Sequence, residues 1–278
     1  MQAVPPGQTG TDTAPEPAVA ELLAPLRDEP SRSAILCDLD GTLAPIVSRP
    51  EDAAVPEPAR EILRRLAARY ALVGIVSGRR AVDARALVGI GELTYSGNHG
   101  FELLEPGASE PSPDPALDGH EEDAERFVAG LGGDELERLG FRIEDKGAIV
   151  ALHWRGAEKE GEAEARASEI ASEAERKGLV PHRGRKVLEI RPDISIDKGM
   201  AVESLLRGRG LRAAMYGGDD RTDADAFRGL RRLLDAGELS ATAAIAVGSE
   251  EVPAQLLAEA DVRVDGTDAY LGALRSLL

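Results

Sequence analysis

Two aspartates separated by one residue follow directly on an apolar run near the start of the chain. Residues 34–37 are Ala, Ile, Leu and Cys, and the next residues include Asp38, Asp40 and Gly41. In an extended backbone, residues two apart point to the same side, so both carboxylates can address one reacting centre. One can attack as a nucleophile while the other transfers protons. The pattern predicts a reactive site at the carboxyl end of a strand, where open α/β folds bind ligands.

Three later segments place polar groups after apolar runs or at the start of a helix. Ser77 follows the run 71–76, and its hydroxyl and the neighbouring backbone amides can hold a phosphoryl oxygen. Lys198 can neutralise negative charge that a nucleophile shares with a phosphate. Asp219 follows two glycines at the end of the run 211–216, and such oxygen ligands suit Mg²⁺. The four segments together predict a phosphate site.

Each segment also has an ordinary structural interpretation. Acidic residues after a strand can cap a helix, a Ser-Gly pair is a common turn, and a single lysine is usually solvated. Asp197 is expected to cap the helix that follows it, and Thr222 with Asp225 matches a capping box, so the outer carboxylates of that segment are partly structural. The order of the segments, most of them at strand ends, favours the functional interpretation.

Strands and helices must alternate if these residues are to meet at one edge of a sheet. They alternate over 31–105 and again over 192–278, which predicts an α/β fold with a doubly wound parallel sheet. A Pro-rich acidic stretch follows the first half, and residues 106–191 read as two helix and strand-pair units, with 121–139 helical. We therefore predict one catalytic core with an α+β domain inserted into it.

Composition limits the class of protein and its partners. The 278 residues carry 33 Lys and Arg against 50 Asp and Glu, and the formal net charge of −17 disfavours nucleic acid and anionic membranes. Neither an apolar run of membrane-spanning length nor a signal peptide is recognisable. The single cysteine, Cys37, excludes an intramolecular disulfide and fits a reducing compartment. We expect a cytoplasmic monomer with a small-molecule substrate.

Residues 1–30 form a leader ahead of these motifs. Residues 1–17 are rich in Pro, Gly and Thr and are expected to be a disordered tail, and 18–27 a short helix.

The four segments together resemble the haloacid dehalogenase superfamily, whose phosphatases use an Asp-x-Asp-Gly-Thr motif, a Ser or Thr, a Lys and a late acidic motif. The resemblance implies a Rossmann-like core with a type-two cap, at 106–191. Further motifs resemble the trehalose-6-phosphate phosphatases: Ser77-Gly78-Arg79, Gly97-Asn98-His99-Gly100, Glu144-Asp145-Lys146-Gly147, His153-Trp154-Arg155, Glu189-Ile190-Arg191-Pro192 and Gly218-Asp219-Asp220 with Thr222-Asp223. Ala224, where an acidic residue is common, and Trp154, where Tyr is frequent, depart from the pattern.

This resemblance implies a role for each matching residue. Asp38 is the nucleophile, Asp40 the general acid and base, and Ser77 and Lys198 hold the phosphoryl group. Mg²⁺ is held by Asp38, the backbone carbonyl of Asp40 and Asp219, with Asp220 and Asp223 in support. The implied substrate-binding residues are Arg79, Asn98, His99, Gly100, Glu144, Lys146, His153, Arg155, Glu189 and Arg191. The implied reaction is hydrolysis of trehalose 6-phosphate, the last step of trehalose biosynthesis.

Side-chain parity in 106–191 supports a polar face on the inserted domain. His153 and Arg155 alternate with apolar residues, as do Glu189 and Arg191. A face exposed to solvent would show the same alternation.

Other possible functions are hydrolysis of sucrose phosphate or a glycosyl-phosphoglycerate, the reaction of a phosphosugar mutase, or sensing of a sugar phosphate without catalysis. The intact pair of Asp38 and Asp40 argues against the sensor.

Overall fold

A central eight-stranded sheet organises the computed structural model, which describes residues 17–47, 52–248 and 252–278. Its strands are β1 (Ser33–Cys37), β2 (Leu72–Val76), β3 (Thr94–Gly97), β4 (Glu102–Leu104), β5 (Ser112–Pro113), β10 (Ala213–Gly218), β11 (Ala241–Val247) and β12 (Val262–Val264). Their order in the sheet is β12-β11-β10-β1-β2-β3-β4-β5, in which the first six are parallel and the last two antiparallel. The predicted α/β fold with a parallel sheet is confirmed.

A second, four-stranded sheet is antiparallel, with the order β6-β7-β9-β8. Its strands are β6 (Arg142–Asp145), β7 (Val150–His153), β8 (Leu179–Gly184) and β9 (Val187–Pro192). The helices of the chain are α1 (Pro17–Leu22), α2 (Ala24–Asp28), α3 (Glu57–Ala67), α4 (Ala81–Val88), α5 (Asp123–Ala129), α6 (Gly133–Arg138), α7 (Glu160–Arg176), α8 (Lys198–Leu206), α9 (Asp223–Asp235), α10 (Ala254–Glu259) and α11 (Gly266–Arg275).

The large sheet is covered on both faces. Every residue of β1 is buried, and successive side chains enter different apolar clusters. Ile35 and Cys37 pack in one cluster, whereas Ala34 and Leu36 pack in the other. A strand that is buried on both faces is typical of parallel sheets between two layers of helices. This burial fixes β1 in the middle of the core, so the residue that follows it, Asp38, has a rigid support.

The small sheet has one apolar and one polar face. Val150, Leu152, Leu188 and Ile190 belong to one buried cluster together with residues of α5 and α7. Glu189 alternates with them and lies on the opposite face, which confirms the parity expected from the sequence. Phe101, Leu117, Ile149 and Ile196 form a separate apolar cluster where the two sheets meet.

Several elements differ from the predictions. The helix predicted over 121–139 is two helices, because Gly130 and Gly132 interrupt it. The helix predicted over 18–27 is also divided, with Pro25 in the first turn of α2. β4 and β5 were not predicted, and they extend the large sheet to residue 113, beyond the expected boundary at 105.

The division of the chain into a catalytic core and a cap that selects the substrate stays a prediction. Most of the tail predicted over 1–17 lies outside the described residues. No helix of the described part of the chain is long and apolar enough to cross a membrane.

Candidate active site

A buried lysine bonds to the first of the two aspartates. Asp38 continues the pairing of β1 with β10 through its backbone N–H, which donates to the carbonyl of Gly217 at 2.8 Å. Lys198, the first residue of α8, donates from Nζ to Asp38 Oδ1 at 2.8 Å, and its side chain is 2% exposed. Asp197 caps α8 by accepting from the N–H of Met200 at 2.9 Å, as expected. The helix start therefore presents Lys198 to the end of β1.

Asp223 holds Lys198 from the other side. Its Oδ1 accepts from Lys198 Nζ at 2.6 Å and from the Tyr216 hydroxyl at 2.7 Å. Its Oδ2 accepts from the backbone N–H groups of Asp219 and Asp220, each at 2.9 Å. Burial lowers the pKa of Lys198, but the charges of Asp223 and Asp38 outweigh it and raise that pKa above its usual value. The fully buried Asp223 thus positions the lysine and the loop.

The capping box predicted at the start of α9 is wrong. The Thr222 side chain makes no capping bond to the helix backbone, and its hydroxyl donates to Asp220 Oδ1 at 2.6 Å. Asp225 instead pairs with Arg228. Asp220 also accepts from the N–H of Thr222 at 2.7 Å, so its carboxylate shapes the loop, as a structural carboxylate would.

Three carboxylates are close enough to hold one metal ion. Oxygen atoms of Asp38, Asp219 and Asp223 lie within 4.8 Å of one another. Burial and the charges of Asp223 and Asp219 raise the pKa of Asp38, and burial with the charges of Asp223 and Asp220 raises the pKa of Asp219 to about 7. The single charge of Lys198 therefore does not balance the three crowded carboxylates, and all-oxygen donors fit Mg²⁺. Because the oxygens of Asp223 already accept several bonds, Asp38 and Asp219 are the better ligands.

Gly41 allows the two segments to approach. Its φ is +88°, and a Cβ atom at this position would lie 2.1 Å from Asp219 Oδ2. The neighbouring Thr42 hydroxyl donates to Asp219 Oδ1 at 3.1 Å. Any side chain at residue 41 would both strain the turn and displace the carboxylate of Asp219.

Asp40 is held by an arginine. Arg79 donates from Nε to Asp40 Oδ2 at 2.6 Å and from Nη2 to Oδ1 at 2.7 Å, a bidentate pair. Arg79 was expected to bind substrate, whereas here its guanidinium binds Asp40. This bond to Asp40 raises the pKa of Arg79.

Ser77 and the segment after β3 form the adjoining wall. Ser77 is 1% exposed, and its Oγ accepts from the N–H of Arg79 at 3.2 Å. Asn98 and His99 both have positive φ, and the Asn98 side chain donates to the carbonyl of Lys146 at 2.8 Å, which joins the two sheets. Gly100 packs closely against Ile196 and Ala201, so its place is set by packing within the core.

A row of ion pairs crosses the polar face of the small sheet. Glu189 Oε1 accepts from Lys146 Nζ at 2.9 Å, and Oε2 accepts from Arg191 at 2.5 Å. Burial opposes ionisation of Glu189, but Lys146 and Arg191 outweigh it and lower its pKa to about 2. Glu144 Oε2 pairs with His153 Nε2 at 2.8 Å. These side chains were all expected to bind substrate, and here they are paired with one another.

Some of the expected site residues line two cavities. A cleft of about 440 Å³ between the two sheets is lined by Asp40, Ile46, Val47, Gly78, Arg79, Arg80, Asp83, Glu144, Lys146, His153 and Arg155. A second cavity, of about 520 Å³, is lined by residues that include His99, Arg191 and Lys198, together with His182 and Arg221. The structure therefore brings five of the ten expected substrate-binding residues to the cleft with Asp40, namely Arg79, Glu144, Lys146, His153 and Arg155. His99 and Arg191 line the second cavity.

Two residues with a clear place in the site were not singled out in the sequence. Tyr216 bonds to Asp223, and Thr42 bonds to Asp219. Thr42 is part of the Asp-x-Asp-Gly-Thr motif and so carried a signal. Tyr216 ends an apolar run and could not be distinguished from a core tyrosine.

Residues 36–263 match the family model for trehalose-phosphatase. The chain belongs to the trehalose-phosphatase family. A trehalose-phosphate phosphatase of Mycobacterium avium is 38% identical over 204 residues, covering 71% of this chain and 51% of that protein. A protein of Mycobacterium tuberculosis named "uncharacterized glycosyl hydrolase" is also 38% identical, over 210 residues, covering 72% of this chain and 15% of that protein.

This chain therefore spans about half or less of the length of these two relatives of the trehalose-phosphatase family. A crystal structure of trehalose-6-phosphate phosphatase from Aspergillus fumigatus superposes with a TM-score of 0.63 at 26% identity, covering 95% of this chain and 98% of that one. A haloacid dehalogenase-like hydrolase from Bacteroides thetaiotaomicron has a TM-score of 0.59 at 17% identity, covers 88% of this chain and 99% of that one, and supports the fold alone.

Proposed function

We propose that this chain is a Mg²⁺-dependent phosphatase that hydrolyses trehalose 6-phosphate through an aspartyl-phosphate on Asp38. The observation that carries the proposal is the placement of Asp38. Asp38 accepts a hydrogen bond from Lys198 and has an oxygen within 4.8 Å of one of Asp219, while Asp40 lines the cleft with polar residues of the small sheet. This arrangement supports Asp38 as a nucleophile beside a phosphate and metal site, and Asp40 as a proton donor in the cleft that we assign to the sugar.

The first chemical step transfers the phosphoryl group to Asp38. A carboxylate oxygen of Asp38 attacks phosphorus and the bond from phosphorus to the sugar oxygen breaks. Asp40, in its protonated form and released from Arg79, gives that oxygen its proton. Lys198 and Ser77 hold the phosphoryl oxygens during the transfer. When bound by Asp38, Asp219 and the carbonyl of Asp40, Mg²⁺ adds positive charge that stabilises the transferring group.

The second step releases phosphate. Water attacks the aspartyl-phosphate from the side of the cleft, and Asp40 takes its proton, so that both carboxylates return to their starting forms. Asp223 keeps Lys198 in place throughout. The enzyme must lower the barrier of a very slow reaction by on the order of 20 kcal/mol, mainly through such positioning and charge neutralisation.

The polar face of the small sheet supports a sugar substrate. Glu144, Lys146 and Glu189 offer both donors and acceptors to hydroxyl groups. We assign substrate selection to residues 106–191 and the chemistry to the larger sheet. The proposal includes a cytoplasmic monomer that acts in the last step of trehalose biosynthesis.

Phosphate release from a panel of sugar phosphates, with Mg²⁺ and with a chelator, tests this function. We expect trehalose 6-phosphate to be hydrolysed fastest and only with Mg²⁺. Preference for sucrose phosphate or a glycosyl-phosphoglycerate, or return of phosphate to the sugar as in a mutase, would overturn the substrate assignment. Asp38→Asn should retain the fold and release no phosphate, and turnover by that variant would remove the nucleophile.

A further inference from the structure

Two exposed apolar side chains lie in the lining of an otherwise mainly polar cleft. Ile46 is 78% exposed and Val47 is 40% exposed, and of the large hydrophobic side chains in the described residues Ile46 is the most exposed. Both line the cleft that contains Asp40. They follow the turn that begins at Asp40, which pairs with Ala44 in an isolated bridge. Their position is therefore tied to the catalytic turn.

The rest of this cleft is lined mainly by polar side chains. They are Asp40, Arg79, Arg80, Asp83, Glu144, Lys146, His153 and Arg155. A phosphate ester whose oxygen meets Asp40 must extend its leaving group into this cleft. The polar side chains can bond to its hydroxyl groups, whereas the side chains of Ile46 and Val47 offer only carbon.

A pyranose ring also has polar and apolar parts. Its hydroxyl groups project mainly from the rim, while its faces present C–H groups. Contact between a C–H face and apolar side chains removes apolar surface from water at no cost in hydrogen bonds. Ligand sites commonly combine such apolar walls with a few oriented polar groups.

We propose that Ile46 and Val47 form an apolar wall that binds the C–H face of the sugar leaving group, and so contribute to selection of sugar phosphates. This inference rests on the proposed function, since it assigns the sugar to the cleft that contains Asp40. The wall contacts only the sugar, so it strengthens binding of substrate and of the sugar product and leaves the phosphate site unchanged. Binding of this uniform kind lowers KM and does not change kcat.

The test compares Ile46→Ser and Val47→Thr with a matched control, Leu257→Ser. Leu257 lies on α10, is 41% exposed and does not line the cleft. Because Ile46 is exposed, its replacement should leave the fold intact. The measurements are KM and kcat for trehalose 6-phosphate and the inhibition constants of the two products, trehalose and inorganic phosphate.

We expect Ile46→Ser to raise KM and the trehalose inhibition constant by about fivefold to tenfold, with Val47→Thr causing a smaller rise in the same direction. The inhibition constant of phosphate and kcat should stay close to the wild type, and Leu257→Ser should change nothing. An unchanged KM in Ile46→Ser would overturn the proposed wall. A fall in kcat alone would also overturn it and would indicate a contact used in closure of the site. An equal rise in the inhibition constant of phosphate would overturn it as well and would indicate a general disturbance of the site.

Failure of this inference and of the proposed function are distinguishable. Calorimetric titration of the wild type and Ile46→Ser with trehalose measures sugar binding without turnover. If the wild type hydrolyses trehalose 6-phosphate and binds trehalose no better than Ile46→Ser, the wall is wrong and the function stands. If the wild type prefers another sugar phosphate, the same comparison with that sugar supports the wall when its binding weakens in Ile46→Ser.

Discussion

Arg79 binds both carboxylate oxygens of Asp40, at 2.6 and 2.7 Å. The arginine follows β2 and the aspartate follows β1, two adjacent strands of the parallel sheet. A bidentate pair fixes direction as well as distance, because the planar guanidinium matches the plane of the carboxylate. In the proposed reaction a carboxylate oxygen of Asp40 must transfer a proton, and in this structure both oxygens accept bonds from Arg79. Arg79 therefore positions Asp40, and the pair must open before the sugar oxygen can reach it.

Replacing Arg79 with Gln should impair the step that needs the proton donor. We expect kcat for trehalose 6-phosphate to fall by about a hundredfold, in the same direction as Asp40→Asn, since a misplaced general acid loses most of its effect. Arg79→Lys keeps the positive charge but cannot bind both carboxylate oxygens as a guanidinium does, so it should recover only part of the lost kcat.

The measurement that separates positioning from general damage uses p-nitrophenyl phosphate. Its leaving group needs no proton, so rapid mixing of Arg79→Gln with this ester should show a nitrophenolate burst close to the wild-type rate. A burst rate that falls as much as kcat for trehalose 6-phosphate would show that Arg79 supports the fold or the phosphate site instead.

Asp223 accounts for much of the rigidity of the site. It is fully buried and accepts bonds from Lys198, Tyr216 and two backbone N–H groups. Asp223→Asn leaves Lys198 with one anionic partner, and we expect it to cost about 3 kcal/mol of unfolding free energy. Tyr216→Phe should cost about 1 kcal/mol, the value of one buried hydrogen bond.

Urea unfolding measures both effects. Asp225→Asn serves as the control, because Asp225 pairs with Arg228 at the surface and its loss should cost less than about 1 kcal/mol. A stability loss in Asp223→Asn no larger than in Asp225→Asn would contradict the structural role of the buried carboxylate.

The parts of this molecule that could be predicted from the sequence are those set by local periodicity. Alternation placed Glu189 on the polar face of β9, and strand ends placed Asp38 and Asp219 at one edge of the sheet. Both follow from the extended backbone alone. The expected meeting of Lys198 with these carboxylates also followed, because α8 begins at that edge.

Other features depend on side-chain direction or on weak patterns. The pairing of Arg79 with Asp40 joins residues 39 positions apart and could not be read from spacing. β5 has only two residues, one of them Pro113, so it carried no strand signal. The break between α5 and α6 had a signal in Gly130 and Gly132, which the apolar periodicity on either side outweighed.

Gly41→Ala tests whether Mg²⁺ binding requires the close approach of the turn at residue 41 to Asp219. A methyl group there would displace Asp219, so we expect Mg²⁺ affinity to fall by about tenfold or more, as when the support of a ligand is lost. Gly237→Ala is the matched control, since Gly237 also has positive φ, +73°, but a Cβ there meets nothing within 4 Å.

Calorimetric titration with Mg²⁺ and thermal melting should be run on both variants. Similar backbone strain should lower their stability by a comparable amount, on the order of 1 kcal/mol. Mg²⁺ affinity should fall only in Gly41→Ala, and equal affinities in the two variants would remove Asp219 from the metal site.

Glu189 should make the free energy of unfolding depend on pH in the acidic range. Its pKa in the folded state is about 2, below the ordinary 4.5, so its stabilising effect is fully present above about 4.5 and is lost as the pH falls toward 2. At neutral pH the carboxylate contributes about 3 kcal/mol by this shift. Glu189→Gln should therefore be less stable than the wild type at neutral pH, and the difference should shrink between pH 4.5 and 2.

Denaturant unfolding of the wild type and Glu189→Gln across this pH range measures the difference in unfolding free energy. Glu164→Gln, an exposed change on α7, is the control. A difference that stays constant down to the lowest pH would mean that Lys146 and Arg191 do not hold the charge of Glu189.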